Sequence, residues 1–452
     1  MITSVRLTLL LIRRTTDRAT LVLPIVAFAV VTALALTIFG GARFFFTVRE
    51  PDLEILYALL GTVATVLLIV PLLTLCGAAA RLSTRRRDDR LATLRLLGAP
   101  RRMIAQVTVL ETTLLALSGS LLGVVGHLVL VPVTGLLHFH GERLGADRVL
   151  VDPLGAASCV LGLVAMATVS AIAGLRRVVV SPLGVRTRQQ AARLSIWRVI
   201  GFAAVLIVGV FAVGSLSSSF GAVGLIVILG TAFGLTMVVL NLIGPLLVRL
   251  SAQFLLRRAE RRPVAPRLLA ARTMLDDPKG AWRQVSGIAM TSFMAVFGGV
   301  GVAVSSIAGT TENSELEAQD RMVAGDILTG VLVTIAISFI TVACAVAISQ
   351  AAAVLDRSEQ LASLHRIGIP LRQVNSARYR AVRRPLLLVA LGSALVAAVL
   401  VFPLTGMALL AQPATLVVVG LALLTGCALV LGAVKLTDPL VSKNSSPTAT
   451  SE

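Results

Sequence analysis

Lysine is almost missing from this 452-residue chain, which carries only Lys279, Lys435 and Lys443. A phosphate-binding loop of the form G-x-x-x-x-G-K-[ST] needs a lysine that reaches the β and γ phosphates of a nucleotide. Pro278, Val434 and Ser442 precede the three lysines, so none sits in such a loop and the chain is expected to be no enzyme of that kind. Cysteine is also sparse: Cys76, Cys159, Cys344 and Cys427 each lie inside an apolar run, and no C-x-x-C spacing occurs. That argues against disulfides and against a zinc site. Charged residues make up only 14% of the chain, and no Ser-His-Asp set or carboxylate pair can be argued from their spacings.

What fills the chain is apolar. It is 56% hydrophobic with a mean hydropathy of +0.92, which marks an integral membrane protein. The net charge of +19 would suit nucleic acid if the basic residues gathered on one polar face. They fall instead in short bursts between apolar runs, so the positive-inside pattern explains them and no nucleic-acid partner is expected. The run from Leu21 to Phe39 follows a basic start as a secretory signal would. It is too long for a signal core and lacks a small-x-small cleavage site, so it reads as a retained span.

The fold class read from the sequence is an all-α polytopic membrane protein of about ten transmembrane helices, with no large extracellular domain. The spans fall near 20–46, 55–80, 104–135, 153–175, 198–216, 221–248, 284–309, 327–354, 385–408 and 414–436. Only the serine-rich turn around Ser215 to Ser219 divides the fifth from the sixth. On these bounds one side holds 36 of the 41 Lys and Arg, and the other holds Arg43, Arg49, Arg143, Arg148 and Arg321. Both termini are therefore expected in the cytoplasm. The outer loops are short and acidic, and include Asp320 and Asp326. Trp197 and Trp282 at inner ends and Tyr57 at an outer end fit interfacial anchors.

One short phrase occurs twice. LATLRLLGAP, Leu91 to Pro100, returns 270 residues later as LASLHRIGIP, Leu361 to Pro370. Its apolar residues run i, i+3, i+6: Leu91, Leu94 and Leu97, then Leu361, Leu364 and Ile367. That spacing describes a helix with one apolar stripe. The helix should stop at Gly98 and Gly368, where glycine accepts a left-handed cap, and Pro100 and Pro370 cannot continue it. A single copy would fit an amphipathic helix lying passively among headgroups. Two copies, each after one span and before two more, point instead to two equivalent partners or a pseudo-twofold machine.

These segments resemble the FtsX-like permeases of ABC transporters, the type VII or mechanotransmission class. Their hallmark is an R-x-x-E-I-A-x-L-R-x-L-G-like segment between the first two of three consecutive spans, with a Glu early in the next span. Leu91, Ala92, Leu94, Arg95, Leu97, Gly98 and then Glu111 follow it, and Leu361, Ala362, Leu364, Ile367 and Gly368 follow it again. Arg90 and Gln360 stand where the family has Glu, His365 replaces the arginine of the first copy, and Ala381 falls near where the second Glu would be. A weaker echo pairs Phe39-Gly40-Gly41 with Phe297-Gly298-Gly299.

The resemblance implies two FtsX-like halves, each of one span plus three, joined by two linking spans. On that plan residues 1–175 are the first half, with its core about 55–175. Residues 176–265 are the cytoplasmic linker and linking spans, 266–436 are the second half with its core about 327–436, and 437–452 are a disordered tail. It also implies that each short helix docks on a separate ABC ATPase subunit, acting as a dimer, which holds the ATP and Mg. The chain itself would carry no cofactor or metal. The function implied is that of a permease subunit in a bacterial cell membrane, exporting or extracting an amphipathic peptide, antibiotic or lipid. A non-transporting mechanotransmission protein of the same family is the alternative, and an ion-coupled secondary transporter a third.

Other residues stand out singly. Glu111 is an acid well inside an apolar run, readable as a structural lock to Arg101 or Arg102 or as a proton or substrate site. His138 and His140 form an H-x-H in an outer loop beside Glu142, without an evident third metal ligand. His127 and Asn241 read as helix-to-helix hydrogen-bonding groups. Arg43 and Phe44-Phe45-Phe46 mark an outer end that could border a substrate path.

Overall fold

The computed structural model describes residues 18–47, 53–85, 100–180, 201, 204–211, 221–261, 264–308, 314–356, 358–405 and 413–445. Helices dominate it. In chain order they are α1 (Arg18–Phe45), α2 (Glu54–Arg85), α3 (Arg101–Gly135), the one-turn α4 (Ala146–Val149), α5 (Pro153–Val180), α6 (Gly221–Arg261), α7 (Ala265–Asp276), α8 (Pro278–Ala308), α9 (Ser314–Asp356), α10 (Ser358–Arg366), α11 (Leu371–Thr405), α12 (Pro413–Lys435) and α13 (Asp438–Ser445). Two short strands, β1 (His138–Phe139) and β2 (Glu142–Arg143), form a hairpin between α3 and α4.

Among the described residues eight helical stretches are long and apolar enough to cross a bilayer, in α1, α2, α3, α5, α6, α9, α11 and α12. The chain is an all-α polytopic membrane protein. Of the two other expected spans, 284–309 falls almost wholly within α8, and 198–216 lies mostly outside the described residues, with 204–211 helical. Helix α9 begins earlier than expected. The acidic stretch from Ser314 continues the helix because it holds good helix formers and no proline, with its first glycine at Gly325.

The chain divides into two compact units. Unit 1 is residues 1–137, 143–191 and 347–358. Its centre is α1, which packs against α2, α3 and α5. Helix α3 approaches α1 closely through Gly119 and Gly123. A Cβ on Gly123 would stand 2.5 Å from Thr32 Cβ and 2.6 Å from the Ala29 carbonyl oxygen. In a bilayer, where lipid competes equally for apolar surface, such small residues let helices gain van der Waals contact.

Unit 2 is residues 138–142, 192–346 and 359–452. Its centre is α8, which packs against α6, α11 and α12. Phe293 on α8 fills the contact with Ala397 and Leu400 of α11, all three fully buried. Thr291 of α8 and Ser338 of α9 share a buried hydrogen bond of 2.9 Å. Trp282 is a correction: it is 3% exposed rather than an interfacial anchor, and its Nε1 donates to Asn241 Oδ1 at 2.7 Å. Gly244 makes room for the indole, since a Cβ there would collide with the ring. Tyr57, in unit 1, is likewise buried and stacks on Phe45 at 6.3 Å between centroids. Trp197 lies outside the described residues.

The expected disordered tail is also corrected in part. Residues 438–445 form α13, which packs on α11 with Val441 fully buried. Asp438 favours the start of that helix and pairs with Arg378 at 3.5 Å, while Arg378 also donates to Thr437 Oγ1 at 2.7 Å. Residues 446–452 lie outside the described residues.

Candidate functional site

The second copy of the repeated phrase forms α10, nine residues long, immediately before α11. The helix stops where glycine was expected to stop it. Gly368 has φ +91°, in the left-handed region, and the Ile369 N–H reaches back to the Leu364 carbonyl at 3.1 Å. That is the six-to-one bond of a Schellman cap. Pro370 then accepts from Gln373 at 2.9 Å in the first turn of α11.

The apolar stripe is graded rather than uniform. Leu361 is 9% exposed and packs inward, Leu364 is half-buried, and Ile367 is 77% exposed. Ile367 belongs to the turn and not to the helix, because the cap swings the chain away from the helical face. The result is a short, rigidly ended helix presenting a large apolar side chain at its tip beside exposed Arg366. The side chains of Ala362 and His365 are outside the described residues.

In the first copy, Leu91, Leu94, Arg95, Leu97 and Gly98 fall outside the described residues. Pro100 is described and repeats the behaviour of Pro370. It is extended at φ −65° and ψ 143°, and it accepts from Met103 at 2.9 Å in the first turn of α3. Met103 and Gln373 are themselves 270 residues apart, so the two segments launch their following helices alike.

Glu111 is half-buried on α3. Because α3 runs unbroken from Arg101, Glu111 stands about 14 Å along the axis from Arg101 and Arg102, whose side chains lie outside the described residues. His127 behaves as expected of a helix-to-helix group. It is 2% exposed, and its Nδ1 lies 3.1 Å from Thr37 Oγ1 on α1. Thr37 commits its own proton to the Ala33 carbonyl at 2.8 Å, so its oxygen accepts from the imidazole and Nδ1 carries the ring proton. Nε2 is then left as a buried acceptor. The spacing of the sequence could not name Thr37, which lies 90 residues from His127.

At the far end of unit 1, Arg43 pairs with Asp152 at 2.8 Å, and Arg148 lies 5.7 Å above the Phe44 ring. A cavity of about 300 Å³ opens there between α1 and α2, lined by Phe39, Arg43, Phe46, Thr62 and Val66. The wall is almost wholly apolar, with Arg43 among its lining residues. The H-x-H pattern is not a ligand pair on one strand face. His138 is exposed on β1, whereas His140 has φ +58° and Gly141 φ +73°, the two left-handed residues of a tight hairpin turn. The His140 N–H donates to Asp326 Oδ2 at 2.9 Å, and Phe139 between the histidines is buried. Among the described residues no group of three His, Cys, Asp or Glu is placed to hold a metal.

Residues 77–183 match the family model of the FtsX-like permease C-terminal region. The chain carries an FtsX-like permease domain. The matched FtsX-like segment runs from the end of α2, through the repeated phrase and α3, to the end of α5, so it encloses the first copy and the two spans that follow it. A search of curated proteins found no match.

Proposed function

We propose that this chain is the membrane-spanning permease subunit of an ABC transporter, coupling ATP hydrolysis by a separate ATPase to export or membrane extraction of an amphipathic substrate. The observation that carries the reading is α10: a short capped helix with Ile367 exposed at its tip, repeated in sequence by the segment that the FtsX-like match encloses. A rigid helix with one exposed apolar knob suits insertion into a groove on a partner. Closure of an ATPase dimer would press on both copies and drive α3 and α11, which begin immediately after them.

In this reading the chain holds no nucleotide, and the partner supplies ATP and Mg. Both termini and both coupling segments face the cytoplasm of a bacterial cell, and residues 1–175 and 266–436 act as the two permease halves. The apolar cavity beside the Arg43–Asp152 pair offers an acyl or aromatic group a seat next to polar groups, which fits an amphipathic cargo. A relay without transport would need an external docking domain. The described outer segment between α3 and α5 is only a hairpin and one helical turn, which favours transport.

The test is affinity purification of the full chain from its native membrane, with mass spectrometry of what accompanies it. A small ATPase with a phosphate-binding loop should be recovered in stoichiometric amount, and Gly368→Leu should cut that recovery about tenfold by straining the left-handed cap. Purification without any ATPase, or recovery undiminished by substitutions at both Gly98 and Gly368, would overturn the reading.

A further inference from the structure

Three helices of unit 2 bring five arginines together, at one end of the apolar stretches of α6 and α11. Helix α6 supplies Arg258, α7 supplies Arg267, and α11 supplies Arg380, Arg383 and Arg384; α7 packs against both of the others. Arg258, Arg267, Arg380 and Arg383 all bear on the Arg384 guanidinium as like charges. Among the described residues no carboxylate pairs with any of the five. Arg378, on the same helix as three of them, shows the contrast, for it is held by Asp438 and Thr437.

Two further features mark the cluster as incomplete. Arg267 Nε is buried and donates to no protein group. Arg267 also stands in the first turn of α7, whose N-cap is Val264, with no side-chain cap and no acidic residue in that turn. The unpartnered Arg267 Nε, the positive end of the helix dipole and convergent guanidinium groups all call for the same thing, an anion with several acceptor oxygens.

The residues one turn deeper decide what kind. Leu387 and Leu388 follow Arg383 and Arg384 at i+4, Leu391 continues the first row, and Phe254 precedes Arg258 by one turn. Their exposures are 37%, 42%, 68% and 61%. Each basic row thus runs into an exposed apolar row along the same helix face. A lipid has that order, with phosphate at the edge and acyl chains below it, whereas an acidic protein segment has no use for the apolar half.

We propose that this cluster binds the phosphate headgroup of an anionic phospholipid. Arg258, Arg267, Arg380, Arg383 and Arg384 hold the phosphate oxygens, and the acyl chains lie along Phe254, Leu387 and Leu391. Five cations suit a headgroup with two phosphates, and planar guanidinium groups grip phosphate through paired hydrogen bonds.

The full chain in neutral detergent, followed through the intrinsic fluorescence of its two tryptophans, Trp197 and Trp282, on heating, tests this with three probes: cardiolipin, phosphatidylcholine and inorganic pyrophosphate. Cardiolipin should raise the midpoint by about 3 °C or more, and phosphatidylcholine should not. A rise with cardiolipin alone assigns the site to lipid, and a rise with pyrophosphate as well assigns recognition to the phosphates themselves. In the Arg380→Gln, Arg384→Gln double variant the cardiolipin concentration for half the shift should increase about tenfold or more. Its lipid-free midpoint should be unchanged or higher, since repulsion has been relieved, which separates lost binding from lost folding. Arg372→Gln, exposed on α11 outside the cluster, should leave the titration as it was. No shift with cardiolipin, a shift with pyrophosphate only, or equal losses in the Arg372 and Arg380/Arg384 variants would overturn the proposal.

Discussion

Helix α3 against α1 in unit 1 and α11 against α8 in unit 2 occupy corresponding places in the sequence, yet their interiors are filled in opposite ways. Counting 270 residues from α3 to α11 sets Gly119 against Val389, Gly123 against Ser393 and His127 against Ala397. In unit 1 the glycines bring backbones together, and a polar contact, Thr37 with His127, sits inside. In unit 2, Val389, Ser393 and Ala397 are buried, and Phe293 and Leu400 supply the volume. The same helix pairing therefore does not require the same contact. What the two pairs share is a helix, α1 or α8, that forms the centre of its unit; what differs is whether closeness or bulk holds it.

The largest test of that contrast is Phe293→Ala. It should cost unit 2 about 3–5 kcal/mol, because the site loses an aromatic ring that α11 has no side chain to replace. Thermal unfolding in detergent, with protein yield as a second reading, checks it. Next comes Gly123→Ala, which forces a methyl against Thr32 and the Ala29 carbonyl and should cost about 1–3 kcal/mol by overpacking. Ser393→Ala at the matching place should cost less than about 1 kcal/mol. Equal losses at the two positions would mean that α1 and α3 are no closer than α8 and α11.

A smaller effect is expected at the cap of α10. Gly368→Leu should strain the left-handed turn by about 1–2 kcal/mol, leaving the unfolding midpoint of the spans nearly unchanged. If α10 couples to an ATPase, substrate-stimulated hydrolysis should fall by about tenfold, and Gly98→Leu should fall likewise if the first copy is capped in the same way. The smallest effect is Thr37→Val, which removes the hydrogen bond to His127 and should cost about 0.6 kcal/mol, the typical worth of such a bond in a bilayer. A loss above about 2 kcal/mol would show that the buried imidazole depends on Thr37 for more than one contact.

Much of the candidate site was legible because its logic is local. The stop at Gly368 follows from glycine tolerating positive φ and from proline two residues on, and the cap has that form. The grading of the stripe was not legible, because Leu361, Leu364 and Ile367 look alike in a 3.6-residue period. Only the turn of the chain after Arg366 leaves Ile367 outside. The H-x-H pattern misled for a related reason: alternation suggests one strand face, but a two-residue hairpin turn places His140 at its corner. Trp282 and Tyr57 sit at span ends, where sequence reasoning expects interfacial rings, and neighbouring helices cover them instead.

By itself the sequence determined that this chain spans a membrane many times as helices, because runs of about twenty apolar residues leave the backbone no other way to satisfy its polar groups. It also determined where the short helix before α11 ends. The tertiary structure alone decided that Thr37 meets His127, that Phe293 fills the place beside Ala397, and that five arginines from α6, α7 and α11 converge. Those meetings join residues far apart in the chain, and helix periodicity fixes which face a residue is on without fixing which other face it meets.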